Sequence, residues 1–408
     1  MNLILIKLGI RNVFRNKRRT FLTSLAIGIG LMSLIIADGF ILGMKSYMIR
    51  SVTDDYLGHG QIHHKKFLKT NKVKYVIENP GKIEKRLSSD TKLEGFSPRA
   101  ISSALIASAQ GSEQISLVGI KPRYESILSR IKTFTTVGDY LEKNDKSYIL
   151  IGKKLANKLK VDIGDKVVLT LSPIGGGDLS QELFRIKGIF SYGSSTFDNH
   201  MAFINLSRAQ EMLGCQNCIH EFALKFNDLS NLPVLFEEYK KKFPKDAYYF
   251  ETWKELMPAL NSALELTDIS MAFLAVFLAI LVGATVINTL YMALYERKFE
   301  FGVLQAIGTR KKVLFTIIIT ESIALAIGSI IMGSILTFIF GGMLAYYGVD
   351  YGGVTYASVP LREPIYMVFS LKQFIIYPLG LILFTILISF YPIWQLLKIS
   401  PSKSLKIM

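Results

Sequence analysis

The sequence predicts an α+β membrane protein. Four transmembrane helices carry one large mixed α/β extracytoplasmic (periplasmic) domain, which is inserted between the first and second helices. Four apolar segments are each at least 18 residues long, and more than 200 mostly polar residues separate the first from the second. A helix of about 20 apolar residues crosses ~30 Å of hydrocarbon. The apolar segments are 21–41, 271–294, 313–340 and 374–391.

Positive charge predicts the orientation of these segments, because short loops rich in Lys and Arg stay in the cytoplasm. The stretch before the first segment, the loop between the second and third, and the C-terminal tail carry 14 basic and 2 acidic residues together. We therefore expect both termini in the cytoplasm and the large domain in the periplasm. These stretches hold 12 of the 16 excess positive charges. The net charge thus reflects membrane topology and anionic lipid, and does not indicate nucleic-acid binding.

This topology divides the chain into three parts. Residues 1–43 hold an interfacial helix and the first transmembrane helix, residues 44–267 the extracytoplasmic α+β domain, and residues 268–408 three transmembrane helices with a cytoplasmic loop at 295–312. In the domain, alternating apolar residues predict β-hairpins at 104–120 and 166–190. Apolar residues at helical spacing predict helices at 155–159, 207–213, 233–243 and 253–264.

Motifs that would make the chain an enzyme are absent from the sequence. No G-x-x-x-x-G-K-[ST] is present, so ATP is not bound by a P-loop of this chain. H-E-x-x-H and G-x-S-x-G are absent too, which argues against the commonest hydrolases. We expect a non-catalytic membrane subunit that binds no cofactor or metal itself.

Histidine and cysteine residues offer weak functional signals in the polar domain. His59 and His63 are four residues apart, but no carboxylate or Cys lies at ligand spacing, so a polar strand is the simpler interpretation. Cys215 and Cys218 form a C-x-x-C motif followed by His220. An oxidising compartment permits a disulfide there. Idle thiols, a local loop staple and a metal or redox site are the alternatives.

Polar and small residues also occur within the apolar segments. Glu321 lies inside the third span, and we expect it to pair with the basic cluster at 310–312. Gly39 with Gly43, and Ser329 with Gly333, have the small-x-x-x-small spacing that permits close helix packing, for example at a dimer seam.

The loop at 295–312 is the most specific local feature. It begins with charged residues and becomes amphipathic from residue 299 to 307, and we expect the helix to end at Gly308. Phe301, Leu304 and Ile307 recur at three-residue spacing and predict a narrow apolar stripe on a short helix. Such a stripe needs a surface to pack against.

Residues 296–312 resemble the E-R-x-x-E-[IF]-G-x-L-x-A-x-G loop of FtsX-like ABC permeases, the group that includes LolC, LolE, the MacB exporters and FtsX. Gly58-His59-Gly60-Gln61-Ile62-His63 resembles the G-H-x-Q-[IV]-H strand of that family. Residues 151–165 are similar to the i-G-x-x-L-A…v-x-x-G-D segment of the family's lipoprotein-releasing branch. The stretch from Tyr391-Pro392 resembles the family's Y-P-A-x-x-A ending. These matches occur in the family's order along nearly the whole chain.

The resemblance implies that 295–312 is a coupling loop, which docks in a groove of a separate ABC ATPase dimer that binds ATP and Mg. Glu296 and Glu300 would then pair with basic residues of the ATPase. Gly302 and Gly308 would allow close approach and a terminal turn. The apolar stripe would fill the groove. The implied coupling site comprises Glu296, Arg297, Glu300, Phe301, Gly302, Leu304, Ile307 and Gly308. The implied substrate-binding residues, which would hold lipoprotein acyl chains, are Phe40, Met44, Met271 and Phe273.

The size of the polar domain and its motifs favour the lipoprotein-releasing branch (LolC/LolE). The expected function is that of a permease subunit that extracts lipoproteins from the outer leaflet of the cytoplasmic membrane by mechanotransmission. Its expected partners are the ATPase, a second permease, identical or paralogous, membrane lipid and a periplasmic carrier, and not nucleic acid. The alternatives are a MacB-like antimicrobial-peptide or macrolide exporter and an FtsX-like regulator of a cell-wall hydrolase.

Overall fold

The computed structural model of the chain describes residues 7–8, 11–12, 14–70, 72–229, 231–243, 248–357 and 359–398. The chain divides into two compact units. We call residues 1–45, 264–349 and 364–408 the membrane unit, and residues 46–263 and 350–363 the α/β unit. Most of the predicted interfacial helix before residue 14, and the tail after residue 398, lie outside the described residues.

The described residues form fourteen α-helices and twelve β-strands. The helices are α1 (Lys17–Val52), α2 (Phe67–Thr70), α3 (Pro80–Ser88), α4 (Pro122–Leu128), α5 (Ile131–Phe134), α6 (Lys153–Leu159), α7 (Ser195–His200), α8 (Leu206–Met212), α9 (Leu232–Lys242), α10 (Trp253–Leu256), α11 (Pro258–Glu296), α12 (Lys298–Ala306), α13 (Lys311–Tyr347) and α14 (Gln373–Lys398). The strands are β1 (Gly60–His64), β2 (Leu93–Ala107), β3 (Ser112–Ile120), β4 (Thr135–Gly138), β5 (Tyr148–Gly152), β6 (Lys166–Leu171), β7 (Ser180–Phe190), β8 (Met201–Asn205), β9 (Glu221–Phe226), β10 (Tyr248–Thr252), β11 (Thr355–Tyr356) and β12 (Val359–Pro360).

Within the described ranges, four helices are long and apolar enough to span a membrane, namely α1, α11, α13 and α14. The apolar helical segments are 23 to 41 residues long, whereas about 20 residues cross the hydrocarbon. They pack around a cluster of apolar side chains in which Ile35 and Val286 are fully buried. The four predicted spans are therefore present as helices.

Small residues bring two of the membrane helices into backbone contact. A Cβ added at Gly333 in α13 would lie 2.7 Å from the carbonyl oxygen of Gly28 in α1, and one added at Gly28 would lie 3.0 Å from the carbonyl oxygen of Ser329. A Cβ at Gly39 or at Gly43 would likewise meet residues 366–368 of the same chain. Both small-residue motifs thus pack inside the chain, and the expectation that they form a dimer seam is wrong. The small residues allow close approach to other segments of the same chain, and not to a second chain.

A mixed β-sheet with the strand order β10-β1-β9-β2-β3-β8-β5-β7-β4 forms the α/β unit, and β6 pairs with both β2 and β7. The β3/β8 and β5/β7 pairs are parallel. The two predicted hairpins are confirmed as β2–β3 and β6–β7. In β6, the side chains of Val167, Leu169 and Leu171 alternate with exposed or partly exposed neighbours and enter the core. The predicted α+β fold class is confirmed.

Three of the four short helices predicted in the polar domain correspond to α6, α8 and α9. The fourth prediction, a helix at 253–264, is confirmed except at Met257, which separates two helices. The helical conformation is interrupted at Met257, after α10. Pro258 then begins α11, which continues to Glu296. Proline is tolerated in the first helical turn because that position needs no amide donor. The second membrane helix therefore begins inside the α/β unit.

A buried ion cluster holds several elements of the α/β unit together. The guanidinium of Arg99, in β2, donates to both carboxylate oxygens of Glu125 at 2.6 and 3.0 Å and to Glu221 at 2.7 Å. It also donates to the backbone carbonyl of Tyr56, just beyond α1, at 2.6 Å. All three charged side chains are buried. The charge-assisted bonds tie β2, α4 and β9 to the turn that follows α1.

The segment between α13 and α14 is an ordered hairpin. At its base, Val349 and Ile365 exchange two backbone hydrogen bonds of 2.9 Å. Strands β11 and β12 pair above this bridge. Residues 350–363 belong to the α/β unit, so this unit contains chain from two distant parts of the sequence.

Candidate functional site

The loop at 295–312 contains the short helix α12 between two membrane helices. The helix ends at Ala306, and the turn that follows it contains Gly308, whose φ is +88°. The amide of Thr309 donates to the carbonyl of Leu304 at 2.9 Å, which caps the last turn. Glycine adopts this left-handed conformation without the clash that a Cβ would cause. The helix and its glycine end thus have the local form that the sequence predicts.

One face of α12 belongs to the core of the membrane unit. Phe301 is 1% exposed, and Leu304 is partly buried beside it. The neighbours of Phe301 in this cluster are Leu294, Leu314, Ile318 and Ile393. The expectation that Phe301 fills a groove of another protein is therefore wrong, because its ring is already enclosed by its own chain. Gly302 is buried as well.

The opposite face of α12 is apolar and exposed. Phe299 is 56% exposed, Val303 36% and Ile307 74%. Residues four apart on a helix lie on one face, so these side chains form a stripe that we call the exposed stripe. Of the three residues in the predicted stripe, only Ile307 belongs to it. Phe299 and Val303 are not among the predicted residues, although their four-residue spacing is a usable signal.

The two acidic residues of the loop bind arginines of the same chain. Glu300 accepts hydrogen bonds of 2.9 Å from Arg297 and from Arg15, and these bonds hold the pKa of the Glu300 carboxyl below its usual range. Glu296 accepts a bond of 2.7 Å from Arg19. Arginines at the start of α1 are therefore the partners of both carboxylates in this structure, and the pairing of these carboxylates with basic residues of an ATPase stays a prediction.

Arg297 links the loop to the interior of the membrane unit. Its Nη1 atom lies 3.5 Å from Oε2 of Glu321 in α13, and its guanidinium lies 5.0 Å from the centroid of the Phe301 ring. The expectation that Glu321 pairs with the basic cluster at 310–312 is therefore wrong, because Arg297 is its partner. The side chains of Arg297 and Glu321 are only 14% and 11% exposed.

Basic residues remain beside the exposed stripe without an acidic partner. Lys298, Arg310, Lys311 and Lys312 form no ion pair with another described residue, and residues 310–312 are exposed. Since Glu296 and Glu300 are neutralised within the chain, the charge that this surface offers to a partner is positive. The surface thus combines an apolar stripe with unpaired cations.

The predicted acyl-binding residues lie on the two helices that the prediction names. Phe40 and Met44 belong to α1, and Met271 and Phe273 belong to α11. The first three are partly buried, whereas Phe273 is 73% exposed. An ion pair between Lys45 and Asp268 joins α1 and α11 at this level. The structure thus brings the two helices together next to these residues.

An apolar cavity of about 300 Å³ lies elsewhere in the membrane unit, between α1, α11 and α14. None of the four predicted residues lines it. Its lining includes Leu31, Leu34, Leu278, Val282, Leu381 and Phe384. Such a lining suits an alkyl chain, because it offers dispersion contacts and few polar groups. No local pattern predicts this cavity, since its walls come from three separate helices.

The histidines of the α/β unit serve structural roles. His220 accepts a bond from the amide of Ile101 at 3.0 Å and contacts the carbonyl of Val73 at 2.8 Å. His59 accepts a bond from the amide of Phe226 at 2.9 Å, and burial lowers the pKa of His59. Among the described residues, no group of three or more His, Cys, Asp or Glu is arranged to hold a metal.

The Cα atoms of Cys215 and Cys218 are 5.9 Å apart, a separation that suits a disulfide. The pair belongs to the loop that joins α8 to β9.

Two family models match the chain. The model for the MacB-like periplasmic core domain matches residues 20–235, and the model for the FtsX-like permease C-terminal domain matches residues 272–401. Together they match parts of both units and confirm the resemblance to FtsX-like ABC permeases.

Relatives matched over nearly the whole chain have names from the predicted branch. The lipoprotein-releasing system transmembrane protein LolC of Buchnera aphidicola is 25% identical over 94% of this chain and 92% of its own length. LolC of Haemophilus influenzae is 22% identical over 95% of this chain and 93% of its own length. The crystal structure of the periplasmic region of MacB from Actinobacillus actinomycetemcomitans matches 50% of this chain and 92% of that chain, with 13% identity and a TM-score of 0.36.

The two family models occur in the order of the full-length permeases, the first over α1 and most of the α/β unit and the second over α11 to α14. Four helices able to span a membrane overlap these ranges. The chain therefore belongs to the family of FtsX-like, MacB-type permeases of ABC transporters.

Proposed function

We propose that this chain is the permease subunit of an ABC transporter that extracts lipoproteins from the outer leaflet of the cytoplasmic membrane by mechanotransmission. The observation that carries the coupling mechanism is the exposed stripe on α12. The cargo is supported by the full-length relatives named as lipoprotein-releasing proteins. ATP and Mg would be bound by a separate ATPase dimer, which supplies the energy.

The exposed stripe is the surface that would dock on the ATPase. Its three apolar side chains would enter a groove, and the unpaired cations at 310–312 would face acidic groups at the rim of that groove. This assignment replaces Phe301 with Phe299 and Val303 and keeps Ile307. Glu296, Arg297, Glu300, Leu304 and Gly302 would then hold α12 in place from inside the chain, and Gly308 would end it.

Helices α1 and α11 provide the mechanical path. They are 36 and 39 residues long, which corresponds to about 54 and 58 Å, well beyond the ~30 Å of hydrocarbon. Residues 46–52 of α1 and 258–263 of α11 belong to the α/β unit. A displacement of α12 would be carried to the α/β unit along two continuous helices, without passage of cargo through a channel.

The ion pairs of the coupling loop support the proposed topology. Arg15–Glu300 and Arg19–Glu296 bring the start of α1 and the loop between α11 and α13 together, so both would lie on the same side of the membrane. The positive charge of these segments would place them in the cytoplasm. Both termini would then be cytoplasmic and the α/β unit periplasmic.

Acyl chains would be held among the membrane helices. We propose contacts with Phe40, Met44, Met271 and Phe273 near the ion pair of Lys45 with Asp268, because Met and Phe adapt readily to a flexible apolar ligand. A second permease, identical or paralogous, would complete the site. The released lipoprotein would pass to a periplasmic carrier.

The test is a reconstitution of the tagged permease with its ATPase, its partner permease and acylated lipoprotein in proteoliposomes. Ile307→Asp should reduce ATPase co-purification at least tenfold and should abolish ATP-dependent release. The matched control is Ile163→Asp, which places the same charge at a half-exposed isoleucine of the α/β unit. The control should retain ATPase binding. Equal ATPase binding by both variants would refute the docking surface.

Mass spectrometry of co-purified proteins separates the alternatives. Acylated lipoproteins retained by the wild type would support the proposed cargo. A periplasmic adaptor in their place would indicate the MacB-like exporter, and a peptidoglycan hydrolase would indicate the FtsX-like regulator.

A further inference from the structure

An arginine of the hairpin between α13 and α14 is inserted between two aromatic rings. The guanidinium of Arg362 lies 4.4 Å from the ring centroid of Phe134 and 4.3 Å from that of Tyr192. Planar guanidinium groups stack on aromatic faces and gain cation–π attraction. Nε and Nη2 of Arg362 are buried and form no hydrogen bond with another described residue. We therefore assign these two atoms to the stacking of the guanidinium on the rings of Phe134 and Tyr192.

A tyrosine hydroxyl holds the backbone on either side of this arginine. The hydroxyl of Tyr47 donates to the carbonyl of Pro360 at 3.1 Å and accepts bonds from the amides of Arg362 and Glu363 at 2.9 and 3.4 Å. A phenolic hydroxyl has one donor and two acceptor sites, so all its capacity is directed to this hairpin. Tyr47 lies in the part of α1 that belongs to the α/β unit.

The seat for the guanidinium requires a glycine. Gly193 has φ of +74°, and an added Cβ would lie 2.9 Å from Nε of Arg362. The carboxylate of Asp198 accepts bonds from the amides of Tyr192 and Gly193 at 2.6 and 2.9 Å, which fixes the turn. The seat is thus shaped by backbone conformation as well as by aromatic side chains.

Ion pairs extend the same contact. Arg130 lies 3.4 Å from Glu363 of the hairpin and 3.6 Å from Asp55, and its amide donates to the carbonyl of Asp54 at 3.1 Å. A cavity of about 130 Å³ lies beside this group, and three arginines and three carboxylates line it. Because the charges balance, the cavity shows no preference for an anion or a cation. The cluster is better explained as an attachment than as a ligand site.

We propose that Arg362 is a positioning residue that fastens the α13–α14 hairpin to the α/β unit. The last two membrane helices thereby move the α/β unit together with α1 and α11. This proposal rests on the mechanotransmission of the proposed function and adds a third connection to it. Without the stacked guanidinium of Arg362, the hairpin would be attached to the rest of the α/β unit by fewer contacts. Part of the ATP-driven displacement would then not reach the α/β unit.

The test uses the full complex with its ATPase in lipid nanodiscs. Arg362→Ala is compared with Arg123→Ala, which removes an exposed arginine that forms no ion pair with another described residue. Hydrogen–deuterium exchange of residues 350–363 is measured with and without ATP and vanadate, alongside ATP hydrolysis and lipoprotein release. We expect Arg362→Ala to raise exchange in the hairpin at least tenfold, to keep ATP hydrolysis within twofold, and to lower release per ATP at least fivefold. Arg123→Ala should match the wild type.

A second variant keeps the test informative if Arg362→Ala does not fold. Gly193→Ala keeps the arginine but obstructs its seat, so it should produce the same uncoupling in a protein with unchanged charge. Wild-type exchange in β2 and β9 would confirm that either variant is folded. Release per ATP within twofold of the wild type in both variants would overturn the proposal.

A wrong assignment of lipoprotein as the cargo can be distinguished from a wrong assignment of Arg362. If the wild type hydrolyses ATP but releases no lipoprotein, the nucleotide-dependent change in exchange of the α/β strands becomes the deciding measurement. A smaller change in Arg362→Ala than in the wild type would support the proposal, and a change of the same size would overturn it. Absence of the change in the wild type would overturn both this proposal and the mechanical part of the proposed function.

Discussion

Arg297 and Glu321 form an ion pair of 3.5 Å that joins the start of the coupling loop to the interior of helix α13. The same guanidinium binds Glu300 at 2.9 Å and lies over the Phe301 ring. One arginine therefore connects a carboxylate among the membrane helices with the helix that we assign to ATPase docking. The orientation of that helix depends on contacts inside the chain before any partner binds.

Removing Arg297 should destabilise the membrane unit through the carboxylate left behind. We expect Arg297→Met to lower the free energy of unfolding by about 2–4 kcal/mol, because Glu321 would keep a poorly solvated charge. Adding Glu321→Gln should recover most of the loss. Thermal unfolding of the four proteins of this double-mutant cycle in detergent gives the coupling energy, which should be about 1–3 kcal/mol. Additive effects would show that the pair is not coupled.

Substitutions of Phe301 and Ile307 should have different effects, the first on stability and the second on ATPase binding. Phe301→Ala removes a buried ring and should cost about 3–5 kcal/mol of stability. Ile307→Ala truncates an exposed side chain and should change stability by less than about 0.5 kcal/mol, yet weaken ATPase binding. Melting in detergent and ATPase binding by microscale thermophoresis measure the two effects. A reversed pattern would contradict the assignment of the two faces of α12.

Backbone contact at Gly333 should make this position intolerant of larger residues. Gly333→Val should separate α1 from α13 and lower the melting temperature by several degrees, because its Cβ would approach the Gly28 carbonyl at 2.7 Å. Gly342→Val is the matched control, since a Cβ at Gly342 in the same helix meets no atom within 4 Å. Similar losses in both variants would indicate a general helix-propensity effect and not a close contact.

Acid should destabilise the α/β unit through buried histidine. Burial, with the positive charges of Arg99 and His220, lowers the pKa of His63 to about 3. The unfolded chain protonates near pH 6.5, whereas the folded chain does not until about pH 3, so stability falls as the pH drops between these values. The slope is up to about 1.4 kcal/mol per pH unit for one histidine.

His63→Gln should reduce this slope by about one proton, because glutamine can still donate to Gln61 but does not titrate. Urea unfolding of the full chain, followed by the fluorescence of Trp253 in a Trp394→Phe background, reports on the α/β unit. Trp253 and Trp394 are the two tryptophans of the chain. Unchanged pH dependence in His63→Gln would show that folding does not shift the pKa of His63.

Local patterns predicted much of the fold but less of the candidate site. The hairpins β2–β3 and β6–β7 follow from alternation and turn residues that are close in sequence. The sequence places the stripe on the wrong face of α12, because two sets of apolar residues satisfy helical spacing. The predicted set is Phe301, Leu304 and Ile307, and the exposed set is Phe299, Val303 and Ile307. Amphipathic spacing cannot decide which of two apolar faces meets the chain's own core.

The sequence by itself determined four apolar spans, an inserted α/β domain and the family, because hydrophobic length, periodicity and ordered motifs are properties of neighbouring residues. The tertiary structure alone decided which charges are neutralised within the chain and which apolar side chains remain available. Arg15 and Glu300 are 285 positions apart, and Tyr47 and Arg362 are 315 apart. Contacts of this kind arise only when packing brings distant segments together, so no local pattern predicts them.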